Sequence, residues 1–222
     1  MNAGEEPGVV AMDVESTHMP TNSEEFVDAP NFDLETYISR YEGFSKIQRL
    51  QYIARRCPRL KNDAYRLAIK DLKEGCNTAS YKEIMATVGD SLGPGYGYDA
   101  AWCEAEDRKA AAARERLELE LNQFKTNLIK ESIRMGYHEL GRHHAARGDL
   151  AAAFKCFVRT RDYCTTGRHS AEMCLAVVSA AAGLGNWVHA HNYAAKAEHT
   201  AGVANAPEVL AQLRACAGLV HL

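Results

Sequence analysis

From residue 33 onward the apolar positions recur three and four apart, the spacing of one helix face. No segment alternates residue by residue as a strand between hairpin turns would. Asp33 can cap a first short helix to about Tyr41, which Gly43 interrupts. Ile47, Leu50, Ile53 and Ala54 stripe a second, from Ser45 towards Cys57, and Pro58 ends it. Leu60, Ala64, Leu67, Ala68 and Leu72 stripe a third, closed by Gly75. Ser80-x-x-Glu83 has capping-box spacing and predicts a fourth, with Tyr81, Ile84, Met85 and Val88 inward. Gly93-Pro94-Gly95-Tyr96-Gly97 then breaks the chain. Asp99 can cap one long helix to about Met135, roughly 55 Å at 1.5 Å per residue. Its first part is dense in charge, with Glu104 one turn from Arg108. Its second part carries a narrow seam of Leu117, Leu121, Phe124 and Leu128.

A longer pattern follows. Tyr137-x-x-Leu140-Gly141-x-x-His144-x-x-x-Gly148-x-x-x-x-Ala153-x-x-x-Phe157 has the spacing of a tetratricopeptide helix–turn–helix unit. Small residues let two antiparallel helices approach, and large ones fill the gap between them. The pair spans about Ile133 to Cys164. A looser copy lies 37 residues on, with Gly185, Ala190 and Ala197 matching Gly148, Ala153 and Thr160. Pro207 starts a last helix striped by Val209, Leu210, Leu213, Cys216, Ala217 and Val220. One hairpin cannot cover its own outer faces, so such units stack. The expected fold is all-α: a right-handed superhelix of tetratricopeptide-like hairpins with one long helix. A last apolar stripe with nothing after it suggests the front portion of a longer protein.

Charge is unevenly spread. The net charge of -3 hides seven acids and no Lys or Arg within residues 1–32, leaving +4 for residues 33–222. Few apolar residues and one sign of charge predict a disordered acidic tail over 1–32. No stretch reaches the length of a membrane span or has the form of a signal peptide. Seven Cys without a CxxC read as reduced thiols.

Candidate chemistry is sparse. His143 and His144, His189-x-His191, and Cys156 with Cys164 lack the paired spacings of zinc sites. The Gly93 loop opens a helix but lacks the Lys-Ser/Thr and preceding strand of a phosphate loop. No Cys sits in a nucleophile turn. We expect no catalytic, cofactor or metal residue. Basic residues do cluster, at Arg55, Arg56, Arg59, Arg66 and Lys70, with Arg108, Lys109, Arg159 and Arg161 further on. Interleaved acids and few stacking aromatics favour an acidic protein surface or solvent over nucleic acid. These nine are the candidate partner contacts.

Four blocks resemble a known family: Tyr41-x-Gly43-x-x-Lys46-Ile47-x-Arg49-Leu50; Tyr96-Gly97-x-Asp99-x-Ala101-Trp102-Cys103-Glu104; Arg134-Met135-Gly136-Tyr137; and Arg159-Thr160-Arg161-Asp162-Tyr163-Cys164. They are similar to subunit one of the COP-nine signalosome, the plant form especially, over most of residues 33–222. The resemblance implies a non-catalytic scaffold in the complex that removes a ubiquitin-like modifier from cullins. The implied partners are other signalosome subunits and cullin-RING ubiquitin ligases, in nucleus and cytoplasm. The residue pattern divides the chain into tail 1–32, N-terminal helical segment 33–98, connecting helix 99–135 and repeats 136–222; the resemblance implies a winged-helix assembly domain beyond Leu222. A proteasome-lid subunit and a stand-alone peptide-binding repeat protein are the alternatives.

Overall fold

The computed structural model describes residues 26–28, 30–200 and 207–220. Among them there is no strand, and ten α-helices follow one another: α1 Leu34–Ile38, α2 Gly43–Arg56, α3 Lys61–Glu74, α4 Thr78–Val88, α5 Ala100–Thr126, α6 Lys130–Ala146, α7 Leu150–Arg159, α8 Gly167–Gly183, α9 Trp187–Glu198 and α10 Pro207–Val220. Short 3₁₀ turns, Pro58–Leu60 and Thr160–Tyr163, follow α2 and α7. The fold is all-α, as the periodicity predicts. The disorder expected of the acidic tail falls mainly on 1–25 and 29, outside the described residues. Within 26–28, the Val27 N–H donates to the Arg56 carbonyl at 2.9 Å.

Two expectations need correction. The long helix does not continue to Met135: it stops at Thr126, a length of 27 residues or about 40 Å. Leu128 then turns into the left-handed region at φ 53°, where Cβ crowds the following carbonyl. Its N–H donates to Lys125 O and the Ile129 N–H to Phe124 O, a Schellman ending normally built on Gly. So the seam of α5 buries Leu121 and half-buries Leu117 and Phe124, while Leu128 is 81% exposed. Nor is Ser80 the cap of α4. Asn77 is, its side chain accepting from Ser80 N–H at 3.0 Å, which makes Ser80 the third helical residue.

Two apolar cores result. The first joins α1 to α4 and the start of α5 around Leu50, Tyr81, Ile84 and Leu92. The second belongs to the hairpins α6–α7 and α8–α9 with α10, around Phe157, Val177, Ala181 and Leu213; a smaller cluster beside it packs α5 on α6 through Leu121, Ile133, Tyr137 and Leu140. The hairpins share one register at an offset of 37. Gly148 and Gly185 both take positive φ, 81° and 70°, closing Schellman turns. Asp149 and Asn186 both cap the next helix, through Ala152 N–H and His189 N–H. Ala153 and Ala190 are both fully buried, as are Thr160 and Ala197 to within 2%.

The register also carries an exchange of volume. In the first hairpin Gly141 faces Phe157: a Cβ on Gly141 would lie 2.5 Å from Phe157 Cε1. The equivalent pair in the second is Val178 and Ala194, both buried. Small-against-large becomes medium-against-small, and each keeps two helices at close range.

Candidate protein-interaction surface

The candidate contact residues fall on separate faces. Arg55 and Arg56 end α2, where cations meet the negative end of the helix dipole. Arg59 stands in the adjoining 3₁₀ turn, and Arg66 and Lys70 lie one turn apart on α3. All five lie on α2, α3 or the turn that makes the corner between them, but Arg66 and Lys70 line a groove that Arg55, Arg56 and Arg59 do not. Arg56 rests over the Tyr52 ring at 5.7 Å, while Arg55, Arg59 and Lys70 are exposed. Arg66 is more tied down: it donates to Leu92 O at 2.9 Å, pairs with Asp63 and lies over Tyr96 at 5.6 Å. A groove of about 740 Å³ opens beside it, lined by Phe32, Leu60, Arg66, Lys70, Lys73 and Tyr96 among others. Its charges largely cancel, since Asp33, Glu35 and Asp63 line it too.

The remaining four do not join this corner. Arg108 and Lys109 are exposed on α5, Lys109 paired with Glu106 at 2.6 Å. Glu104 and Arg108, one turn apart on α5, form none of the ion pairs of the described residues. Instead Arg114–Glu118 and Arg116–Glu120 line the helix one turn apart. Arg159 covers the Tyr137 ring at 5.9 Å in the repeat region, and Arg161 pairs with its neighbour Asp162.

Sequence reasoning missed the polar joint between the two cores. Arg147, at the end of α6, donates to the Cys76 carbonyl, to Thr78 Oγ1 at 3.1 Å and to Asp107 Oδ1 at 2.6 Å. Lys82 reaches the other oxygen of Asp107 at 2.9 Å, and Thr78 donates to the same carboxylate. Lys82, then Thr78 and Arg147, hold the Asp107 carboxyl well below the usual carboxylate range. Gly148 seats directly on Asn77, with room for no Cβ: one would lie 2.5 Å from Asn77 Nδ2. One fan-shaped guanidinium thus ties together α4, α5 and the α6–α7 turn, in a geometry Lys could not reproduce. Its partners lie 40 to 71 residues away in sequence, so no local spacing announces it.

His143 and His144 stand edge to face with ring centroids 5.8 Å apart. Burial, with His144 and Arg147 nearby, pushes the His143 pKa down; burial alone leads for His138, half-enclosed beside Phe157. Among the described residues no cluster of three or more His, Cys, Asp or Glu could hold a metal ion, and no helix is long and apolar enough to cross a membrane.

Stacked hairpins, a charged projecting helix and a rigid joint define a helical-repeat protein with several separate faces. The family model described as 26S proteasome subunit RPN7 matches residues 99–222, beginning at the cap of α5, and the chain belongs to that family. Among curated proteins it is 42% identical over 205 residues to COP9 signalosome complex subunit 1 of Arabidopsis thaliana, covering 91% of this chain and 46% of that protein. It is 33% identical to COP9 signalosome complex subunit 1b of Drosophila melanogaster over 88% of this chain, and 40% identical to subunit 1 of Emericella nidulans over 73%. The chain spans about half the length of the plant and fly relatives. The resemblance read from the four sequence blocks is therefore borne out by independent comparison.

Proposed function

We propose that this chain is the helical-repeat arm of a signalosome subunit, acting by protein–protein contact and carrying no chemistry of its own. The observation that carries the reading is 42% identity with the plant subunit across nine-tenths of the chain, on a fold whose hairpins keep one register. In this reading the arm meets other signalosome subunits and helps the complex act on cullin-RING ubiquitin ligases, from which Nedd8 is removed. In a plant the same activity would bear on repression of photomorphogenesis. Its places of work are the nucleus and cytoplasm. The contact faces are the corner bearing Arg55, Arg56, Arg59, Arg66 and Lys70, and the exposed side of α5 with Arg108 and Lys109; Arg159 and Arg161 offer a third.

Affinity purification of the full-length protein from cells tests the reading. Other signalosome subunits should return in stoichiometric amount, and charge reversal at the first two faces should lower assembly or raise the modified fraction of cullin. The family model's own description supplies a second reading, a subunit of the proteasome lid. Recovery of proteasome subunits in place of signalosome subunits would select it.

A further inference from the structure

The α6–α7 and α8–α9 turns have one backbone and different surroundings. Arg147 and Leu184 each end the first helix of their hairpin, at φ -81°, ψ -5° and φ -82°, ψ -6°. Gly148 and Gly185 follow at positive φ, and Asp149 and Asn186, at ψ 74° and 75°, cap the second helix. Backbones this alike present the same platform to whatever packs on them. The chain itself occupies the α6–α7 turn: Asn77 sits on Gly148, and Arg147 reaches the Cys76 carbonyl, Thr78 and Asp107. The α8–α9 turn is bare. Among the described residues a Cβ on Gly185 would meet nothing within 4 Å, and Leu184 and Val188 are 47% and 68% exposed.

The chemistry of the bare turn is also distinct. Leu184 stands where the α6–α7 turn has Arg147, and Val188 where it has Ala151. No Asp, Glu, Lys or Arg lies between Glu172 and Lys196, in a chain where 25% of residues are charged. The neighbouring edge of α2 is uncharged as well. There Gln48 donates to the Gly183 carbonyl at 3.3 Å, and the Phe44 ring comes within 3.5 Å of where a Gly183 Cβ would stand. The bare turn therefore continues an uncharged contact that the chain already makes between α2 and the end of α8. A solvated face in this molecule looks different, as the Arg114–Glu118 and Arg116–Glu120 pairs along α5 show. Exposed aliphatic side chains in a charge-free stretch are the composition of an interface core, and permanent complexes bury more of it than transient ones.

We infer that the α8–α9 turn, Leu184 to Val188, is a docking site for the uncharged start of a helix in a permanently bound partner protein. The occupant of the α6–α7 turn sets the form: a loop running into a helix, with a short polar side chain seated on the glycine as Asn77 is on Gly148. The residue exchanges set the chemistry: aliphatic side chains against Leu184 and Val188, in place of the Asp107 carboxylate that Arg147 collects. A charged element is disfavoured there, because its ions would lose water and find no counter-charge. The site adds a face to the charged ones proposed above and does not depend on which assembly the chain joins.

Photo-cross-linking in cells tests it. The full-length protein carries p-benzoylphenylalanine in place of Val188, and after irradiation its adducts are purified and mapped by mass spectrometry. The expected product is one partner protein, joined through residues that begin a helix in that partner and carry no charge beside the adduct. Leu184→Arg should lower this adduct about tenfold, because the cation it brings would be buried without a counter-charge. The substitution copies Arg147 of the equivalent turn and places a cation at a helix C-terminus, so circular dichroism and melting temperature should hold. If the helical signal is lost, the probe moves to position 184 and Val188→Asp, an acid in the first turn of α9, replaces the Arg variant with the same loss expected. Adducts through a charged segment, to a second copy or to another part of the same chain, no adduct at all, or adducts indifferent to the charge substitutions would each overturn the inference. Whether the partner is a signalosome subunit bears on the proposed function alone.

Discussion

Replacing Gly141 with Val tests whether close helix approach, rather than helix propensity, governs the first hairpin. A Cβ there would lie 2.5, 2.7 and 3.0 Å from three atoms of the Phe157 ring, against a comfortable carbon–carbon contact of about 3.5–4.0 Å. The ring would have to withdraw by about 1 Å. It is 5% exposed, with the His138 ring 5.5 Å away on one side. Overpacking of this kind costs about 1–3 kcal/mol, while leaving Gly for a better helix former returns about 0.5 kcal/mol. The single variant should lose about 2 kcal/mol. Phe157→Ala alone should lose about 3–5 kcal/mol through the cavity it leaves. The double variant recreates the Val178 and Ala194 combination of the second hairpin, so the new methyls enter the void the ring vacates. Its loss should fall short of the sum by about 2–3 kcal/mol, at the upper end of coupling between touching residues. Urea unfolding followed by far-UV circular dichroism measures all three. A Gly141→Val chain as stable as the parent, or a double variant additive within about 0.5 kcal/mol, would refute the exchange-of-volume account. Gly136→Ala serves as a control: its Cβ would meet the tip of Leu121 at 3.0 Å, which can swing aside, so no more than a small change is expected.

Three further outcomes follow from the geometry. Arg147→Ala strands the Cys76 carbonyl, Thr78 and part of Asp107, and should cost about 2–3 kcal/mol, with amide exchange quickening first at the start of α4. Leu128→Gly removes left-handed strain at a side chain that is 81% exposed, and should stabilise by about 0.5–1 kcal/mol in the same unfolding assay. The pKa values of His138 and His143 are depressed by burial, so the folded chain binds fewer protons than the unfolded one. Their stabilising contribution is complete above the ordinary histidine value of about 6.5 and is lost as pH falls through their lower folded values; the melting temperature should drop from about pH 7.5 to pH 5.5, less steeply in His138→Gln.

What could be read from the sequence was what local rules govern. The Gly141 and Phe157 spacing, the paired turns at Gly148 and Gly185, and the inward set Tyr81, Ile84, Met85 and Val88 all follow from periodicity and turn chemistry. The end of α5 was not legible because its left-handed position carries Leu128, where a Gly would have announced the stop. The start of α4 was misjudged because two capping residues, Asn77 and Ser80, stand three apart, and only packing against Gly148 selects the earlier. Of the nine candidate contacts, spacing suggested clusters but could not tell a tied cation such as Arg66 from an open one such as Lys70. That distinction depends on Leu92, Tyr96 and Asp63, brought in by tertiary structure.

The joint at Arg147 has a thermodynamic corollary. Oily surfaces slide past one another at little cost, but a guanidinium bonded in three directions tolerates almost no rotation. The front helices and the hairpins therefore hold a set angle, and they should melt as one cooperative unit only while that bracket is intact. Without Arg147, calorimetry should resolve two transitions where the parent chain gives one.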